Sequence, residues 1–280
     1  MKKLLKNKKL LLAASAILFL AGCSTTVISL DTPYTDMFKN NNGWFELLFI
    51  YPLAQALNWL TPYIGVFMAI VAVTLLVKLL TLAFTVKSTV ASQKMQMLNP
   101  ELQKIQAKYE GKKDNDSKMK QGQEMQALYS KNGVNPFGSI LVLFIQFPVI
   151  IAMYQAVQRS SAVKDASIFG YALVNSPKNA FTDGNILFLM IFILMAVSQF
   201  VSMKLPLYLA KRREKKSTHP NDAKPKGPNM EVMMYSSLVM IVFLAFSWPT
   251  AMSLYWLVSS VAQIIQTLYI QYKYIDIKKV

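Results

Sequence analysis

The sequence predicts an all-α membrane protein with five transmembrane helices, a cytoplasmic helical hairpin and an outer interfacial helix. Three observations carry this expectation. The 280 residues are 54% hydrophobic and only 16% charged, with a net charge of +16, a balance foreign to water-soluble domains. Five apolar runs recur at 63–86, 138–158, 186–205, 232–248 and 251–270, each near the ~20 residues a helix needs to cross a hydrocarbon core. The basic residues gather on alternate connections between those runs, as the positive-inside rule requires.

The first 22 residues read as a removable signal peptide: five lysines, an apolar stretch, then small residues. Leu20-Ala21-Gly22-Cys23 resembles a bacterial lipobox, which implies cleavage before Cys23 and a lipid on its sulfur. Cys23 is the only cysteine, so an intramolecular disulfide or a cysteine metal site is excluded. Losing five lysines and no acid leaves the mature chain at +11. In the lipidated segment 23–62, the aromatic and sparsely charged stretch "WFELLFIYPLAQALNWLTPYIG" suits a helix lying in the outer interface and turning into the first span near Pro62.

The first span, 63–86, holds a charge: Lys78 sits in "VAVTLLVKLLTLAF". At that depth a charge costs at least ~2.5–3.5 kcal/mol. Lys87 marks the cytoplasmic end nine residues later, about 13 Å along the helix, and a lysine stem of about 6 Å does not cover that distance by snorkelling alone. Thr74, Lys78 and Thr81 fall at i, i+4 and i+7 and share one face. Such a face must point at protein or water, so the sequence asks for a wet pocket open toward the cytoplasm.

Segment 87–137 reads as a cytoplasmic helical hairpin. Asn99-Pro100 suits an N-cap followed by proline at the first helical position, and Gly111 suits a stop. A second helix is expected from near Asp116-Ser117 to Asn132-Gly133. Leu102, Ile105 and Tyr109 on the first helix should pack against Met119, Met125, Leu128 and Tyr129 on the second. The second span, 138–158, contains Gln146, and 159–185 is an outer loop. The third span, 186–205, contains Ser198 and Gln199. A basic loop, 206–231, has three prolines, no apolar period and the only histidine, His219, and reads as flexible. The fourth span, 232–248, is followed by the fifth, 251–270, which carries Ser259, Ser260 and Gln263, and by a cytoplasmic tail, 271–280.

With the lipidated end outside, twenty lysines and arginines fall on the cytoplasmic side and four, Lys39, Arg159, Lys164 and Lys178, remain outside. Lipobox and charge therefore give the same topology. Topology also accounts for the basic loops without sequence-specific nucleic acid binding. The sequence contains no phosphate-binding glycine motif, and one histidine with one lipidated cysteine leaves no nucleophile or metal arrangement. No catalytic residue, metal or cofactor is expected. Span interiors lack Asp and Glu, which argues against an ion-coupled carrier.

Three stretches carry a resemblance: "MQMLNPELQKIQAKY", "LYSKNGVNPFGSILVLFIQFPVIIAMYQAV" and "FSWPTAMSLYWLVSSVAQIIQTLYI". The chain resembles the YidC-type membrane protein insertases of the Oxa/Alb superfamily, in the short lipoprotein form of Gram-positive bacteria. The resemblance implies a five-span core around a hydrophilic groove, open to the cytoplasm and closed outside, in the bacterial cell membrane with a cytoplasmic C-terminus. It implies insertion of nascent membrane protein segments without ATP, with the ribosome and the Sec translocon as partners. Lys78 stands where the family carries an arginine, keeping the charge without the fork of donors. By the same resemblance Thr74, Gln199 and Trp256 are substrate-binding residues and Gln146 a further groove member, and Lys78 and Thr81 join them through the face they share with Thr74. The rival readings are a small-solute channel or carrier, which needs polarity extending to the outer ends of the spans, and a lipoprotein scaffold. "GVFMAIVAV" in the outer half of the first span has no polar residue, and a scaffold leaves Lys78 unexplained.

Overall fold

The structure, a computed structural model, describes residues 26–35, 43–112, 114–134, 137–217 and 230–276. The signal peptide, Cys23, Asn135-Pro136, His219 with the rest of 218–229, and 277–280 lie outside the described residues.

A π-helical turn, Glu46–Ile50, leads into α1, Tyr51–Met97. Its first part is two-sided. Ile50, Ala54, Leu57 and Asn58 are buried, while Trp44, Leu48, Trp59 and Tyr63 face outward, the spacing of a helix with one packed face. The turn into the following part comes at Gly65 (φ 76°, ψ 157°), not at Pro62, which stays inside the helix. Gly65 alone there can adopt positive φ without a Cβ penalty. Nor does the helix end at residue 86. It continues to Met97, because "TVKSTVASQKMQM" contains no proline or glycine to stop it.

The hairpin follows directly. α2 (Asn99–Lys108) begins with Leu98 in the N-cap position, and α3 (Asn115–Lys131) is capped by Asp114, whose carboxylate accepts from Ser117 N–H at 2.8 Å. Gly111 (φ 83°) and Gly133 (φ 60°) end the two helices. Leu98, Leu102 and Val134 form the hairpin core with Met95, Met125, Leu128 and Tyr129 packed around it. Met119, expected in that stripe, is 62% exposed. It precedes Met125 by six residues, which at 100° per residue puts it about 120° off the packed face. Beside this core Glu124 accepts from Lys108 Nζ at 2.5 Å and Tyr109 Oη at 2.8 Å.

α4 (Phe137–Arg159) is followed by a structured connection where a plain loop was expected. It comprises α5 (Ser161–Lys164), an antiparallel pair β1 (Ser167–Ile168) and β2 (Tyr171–Ala172), and α6 (Pro177–Thr182). Ser160 and Ser176 cap α5 and α6 through their side chains. α7 (Ile186–Ser217) runs well past residue 205, so Lys211 to Lys216 extend a helix rather than begin a flexible loop. α8 (Met230–Ser247) and α9 (Thr250–Ile270) complete the bundle, with a π turn, Gln271–Asp276, after α9. α4 packs on α1, α1 on α9, α9 on α7, and α7 on α8. Among the described residues, three helices are long and apolar enough to cross a membrane: Glu46–Met97, Ile186–Ala210 and Thr250–Lys273.

One end of the bundle is tied by a buried polar clasp. Segment 26–32 lies across it as a strap: Ile28 N–H donates to the Arg159 carbonyl (2.7 Å), and Ser161 N–H donates to that of Ile28 (3.0 Å). Asn58 Nδ2 donates to the Ile28 carbonyl (2.7 Å), Gln55 Nε2 to that of Ser29 (2.8 Å) and Tyr51 Oη to that of Thr32 (2.6 Å). Asn58 Oδ1 in turn accepts from Ser160 Oγ (2.7 Å) and Ala162 N–H (3.1 Å). Arg159 Nε donates to the Thr26 carbonyl at 2.7 Å, and its Nη1 pairs with Glu46 Oε1 at 2.5 Å. Both charged side chains are almost wholly buried, at 2% and 4% exposure. Buried charges in proteins are paired in this way because an isolated one is too costly.

Candidate functional site

Buried side chains change character along the bundle. Between the clasp and Lys78 the core is mainly apolar, with Ala69, Ile70 and Val73 of α1, Phe188 and Met195 of α7 and Met252 and Leu254 of α9, and with Thr250 and Ser253 buried among them. Toward the hairpin end the buried positions include Thr85, Ser88 and Gln93 of α1, Ser202 of α7, and Ser259, Ser260 and Thr267 of α9. Lys78 stands where the two regimes meet.

The Lys78 side chain is half-buried, and neither a hydrogen bond nor an ion pair joins its ammonium to another described residue. Thr74 is fully buried and its hydroxyl donates to the Ile70 carbonyl at 2.7 Å. Thr81, half-buried one turn beyond Lys78, donates to the Val77 carbonyl at 2.9 Å. Both threonines thus satisfy themselves on their own helix, and Lys78 is left as the unsatisfied member of the shared face. Further along α1, Thr85 Oγ1 accepts from Gln266 Nε2 of α9 at 3.3 Å.

The remaining expected residues converge on α9. Gln199 Oε1 accepts from Ser260 Oγ at 2.5 Å, and the same hydroxyl lies 2.7 Å from the Trp256 carbonyl. Gln146 Nε2 donates to Tyr255 Oη at 3.2 Å, so α4 is also joined to α9. Trp256 is 5% exposed and stacked on Trp248 with ring centroids 5.5 Å apart and planes 15° apart. In this conformation its ring is core, not a presented surface. Further along α9 the Thr267 hydroxyl is buried without a hydrogen-bond partner among the described residues, which leaves it open to water or a polar guest. No cluster of three His, Cys, Asp or Glu suited to a metal exists among the described residues.

Sequence reasoning missed Tyr255, which links Gln146 to the bundle, and the Glu46–Arg159 pair. A signal for the pair was present: each is a lone charge at the edge of an apolar stretch, of opposite sign, at the same outer level of the expected topology.

Comparison with known proteins bears on what this arrangement is. The family model described as 60Kd inner membrane protein matches residues 59–278. The membrane protein insertase YidC 1 of Streptococcus pyogenes serotype M3 is 32% identical over 263 residues, covering 94% of this chain and 84% of that protein. The YidC insertase of Oceanobacillus iheyensis is 32% identical over 257 residues, with 90% of each chain covered. MisCA, an insertase of Bacillus subtilis, is 30% identical over 274 residues, covering 96% and 92%. In fold, the chain is similar to an active YidC insertase crystal structure with its first transmembrane domain resolved, at a TM-score of 0.54 and 20% identity. That alignment takes in 84% of this chain and 50% of the other. With most of its length matched by the family model and by three insertases, the chain belongs to the 60Kd inner membrane protein family, that of the YidC-type membrane protein insertases.

Proposed function

We propose that the chain inserts nascent hydrophobic segments into the bacterial cell membrane, without ATP, cofactor or covalent chemistry. In this reading α1, α4, α7, α8 and α9 are five spans, the strap end faces outward and the hairpin faces the cytoplasm. The polar end of the bundle is then a wet groove reached from the cytoplasm. A client's apolar segment slides along the helices beside the groove while its polar flank enters it, so the flank crosses only part of the bilayer unaided. Burial of the segment drives the step: at ~25 cal/mol per Å² a spanning helix gains more than passage of a short flank costs. The hairpin meets the client, the ribosome or the Sec translocon first, and lipid on Cys23 adds an outer anchor.

The observation that carries this reading is Lys78. It is a half-buried ammonium with no partner among the described residues, between a mainly apolar part of the core and a more polar one, and that placement suits a charge kept for a transient guest. Attraction to one carboxylate at ~8 Å with an effective dielectric of ~20 is about 2 kcal/mol, or roughly 30-fold in rate at most. The test is protease protection of a single-span client with an acidic or a neutral outer tail, in vesicles holding each variant as the only insertase. Lys78→Arg should retain both activities, and Lys78→Leu should slow the acidic tail most. Equal insertion of both tails by Lys78→Leu and the unaltered protein would refute the charge mechanism.

A further inference from the structure

The grip on the strap is addressed to main chain. Asn58, Gln55 and Arg159 all donate to strap carbonyls, and the Arg159–Ser161 backbone pairs with Ile28 as a neighbouring strand would. Of the strap's side chains Ile28 is wholly buried, at 0% exposure, while Val27 and Leu30 are exposed. A cleft that reads amides, carbonyls and one aliphatic side chain accepts many sequences in extended form, as strand-addition sites do. Arg159 Nη2 is buried and meets no acceptor among the described residues.

We propose that this cleft is an extended-peptide site filled in cis by 26–32, and that the outer flank of an incoming segment displaces the strap there. The inference rests on the insertase reading above. The guest is an extended stretch that places an aliphatic side chain where Ile28 sits and a hydroxyl or amide acceptor on Arg159 Nη2. A second carboxylate is a poor guest at that position, since Glu46 already supplies the counter-charge. A main-chain grip suits an acceptor that must hold unrelated flanks in turn, and return of the covalently tethered strap releases each one.

Two measurements on the full chain in vesicles test this. In hydrogen exchange, a stalled single-span client with an outer flank should strip protection from the Ile28 amide, because the strap has left. The Ser161 amide should stay protected, because the client's carbonyl replaces that of Ile28. Protection of Ile28 unchanged by the client overturns the proposal. In the second, Ile28→Cys/Ser160→Cys in a Cys23→Ala background is oxidised to fix the strap in place. Insertion of the flanked client should slow about tenfold or more as the competent fraction falls, recover with dithiothreitol, and be unaffected for a client without an outer flank. Equal rates for the oxidised and reduced forms mean that the strap is a permanent seal. Failure of the unaltered protein to insert either client would instead overturn the insertase reading, and this proposal with it.

Discussion

Arg159→Met removes the guanidinium that pairs with Glu46 and holds the Thr26 carbonyl. Glu46 is 3% exposed, so its carboxylate is stranded away from water, and breaking a buried pair from one side costs about 3–5 kcal/mol. Loss of the bond to Thr26 adds about 1 kcal/mol. Glu46→Gln together with Arg159→Met leaves no buried charge, and such neutral replacements are often close to harmless. The double variant should therefore recover most of the loss and retain only the missing Thr26 bond. The assay is equilibrium unfolding in mixed micelles, run as a double-mutant cycle. A favourable coupling of at least about 2 kcal/mol is expected between the two sites. A single Arg159→Met cost below about 1 kcal/mol, or a double variant as unstable as the sum of the singles, would refute the claim that this pair secures the strap end.

Three further outcomes are expected. Gly65→Ala meets no atom within 4 Å of the added Cβ, so its cost is conformational alone, about 1–3 kcal/mol from forcing an L-residue into φ 76°, ψ 157°, a region essentially confined to glycine; unchanged unfolding would mean that the bend tolerates other backbones. Lys108, and then Tyr109, hold the Glu124 carboxyl below its ordinary 4.5, while the bond to Glu124 holds Lys108 above its ordinary 10.5. Glu124's contribution to hairpin packing is complete above 4.5 and fades as pH falls through the lowered value, and that of Lys108 is complete below 10.5 and fades above it. Hydrogen exchange over 99–131 should follow both limits and lose both in Glu124→Gln, since each rests on the Glu124 carboxylate. Cys23→Ala should remain in the membrane after carbonate extraction, because spanning helices anchor far more firmly than acyl chains; its release would contradict the spanning reading.

The helical character of the chain and the hairpin were legible because both rest on local physics. Long apolar runs fix helices, and Pro100, Gly111 and Gly133 punctuate the hairpin within three residues of where its helices begin and end. Less legible were features fixed by tertiary contact. Nothing local says that Thr74 and Trp256 are buried while Lys78 is left unsatisfied, since all three sit on apolar helices of similar pattern. The bend at Gly65 competes with a nearby proline that has the stronger reputation as a breaker, yet Pro62 is accommodated inside the helix. The clasp between Glu46, Asn58 and Arg159 joins distant segments whose charges, taken one at a time, look like ordinary interfacial polarity.

That clasp also imposes an order on the protein's own birth. Thr26 and its partner Arg159 are separated by 133 positions in the chain. At a synthesis rate of about 5–20 residues per second, the N-terminal segment emerges roughly 7–27 s before the arginine that will hold it exists. During that interval the strap has only Tyr51, Gln55 and Asn58 to hold it, and Glu46 lacks its counter-charge. Completion of α4 is thus the moment at which the strap end gains its ion pair, so a ribosome paused between the first and second apolar runs would leave an intermediate with Glu46 unpaired.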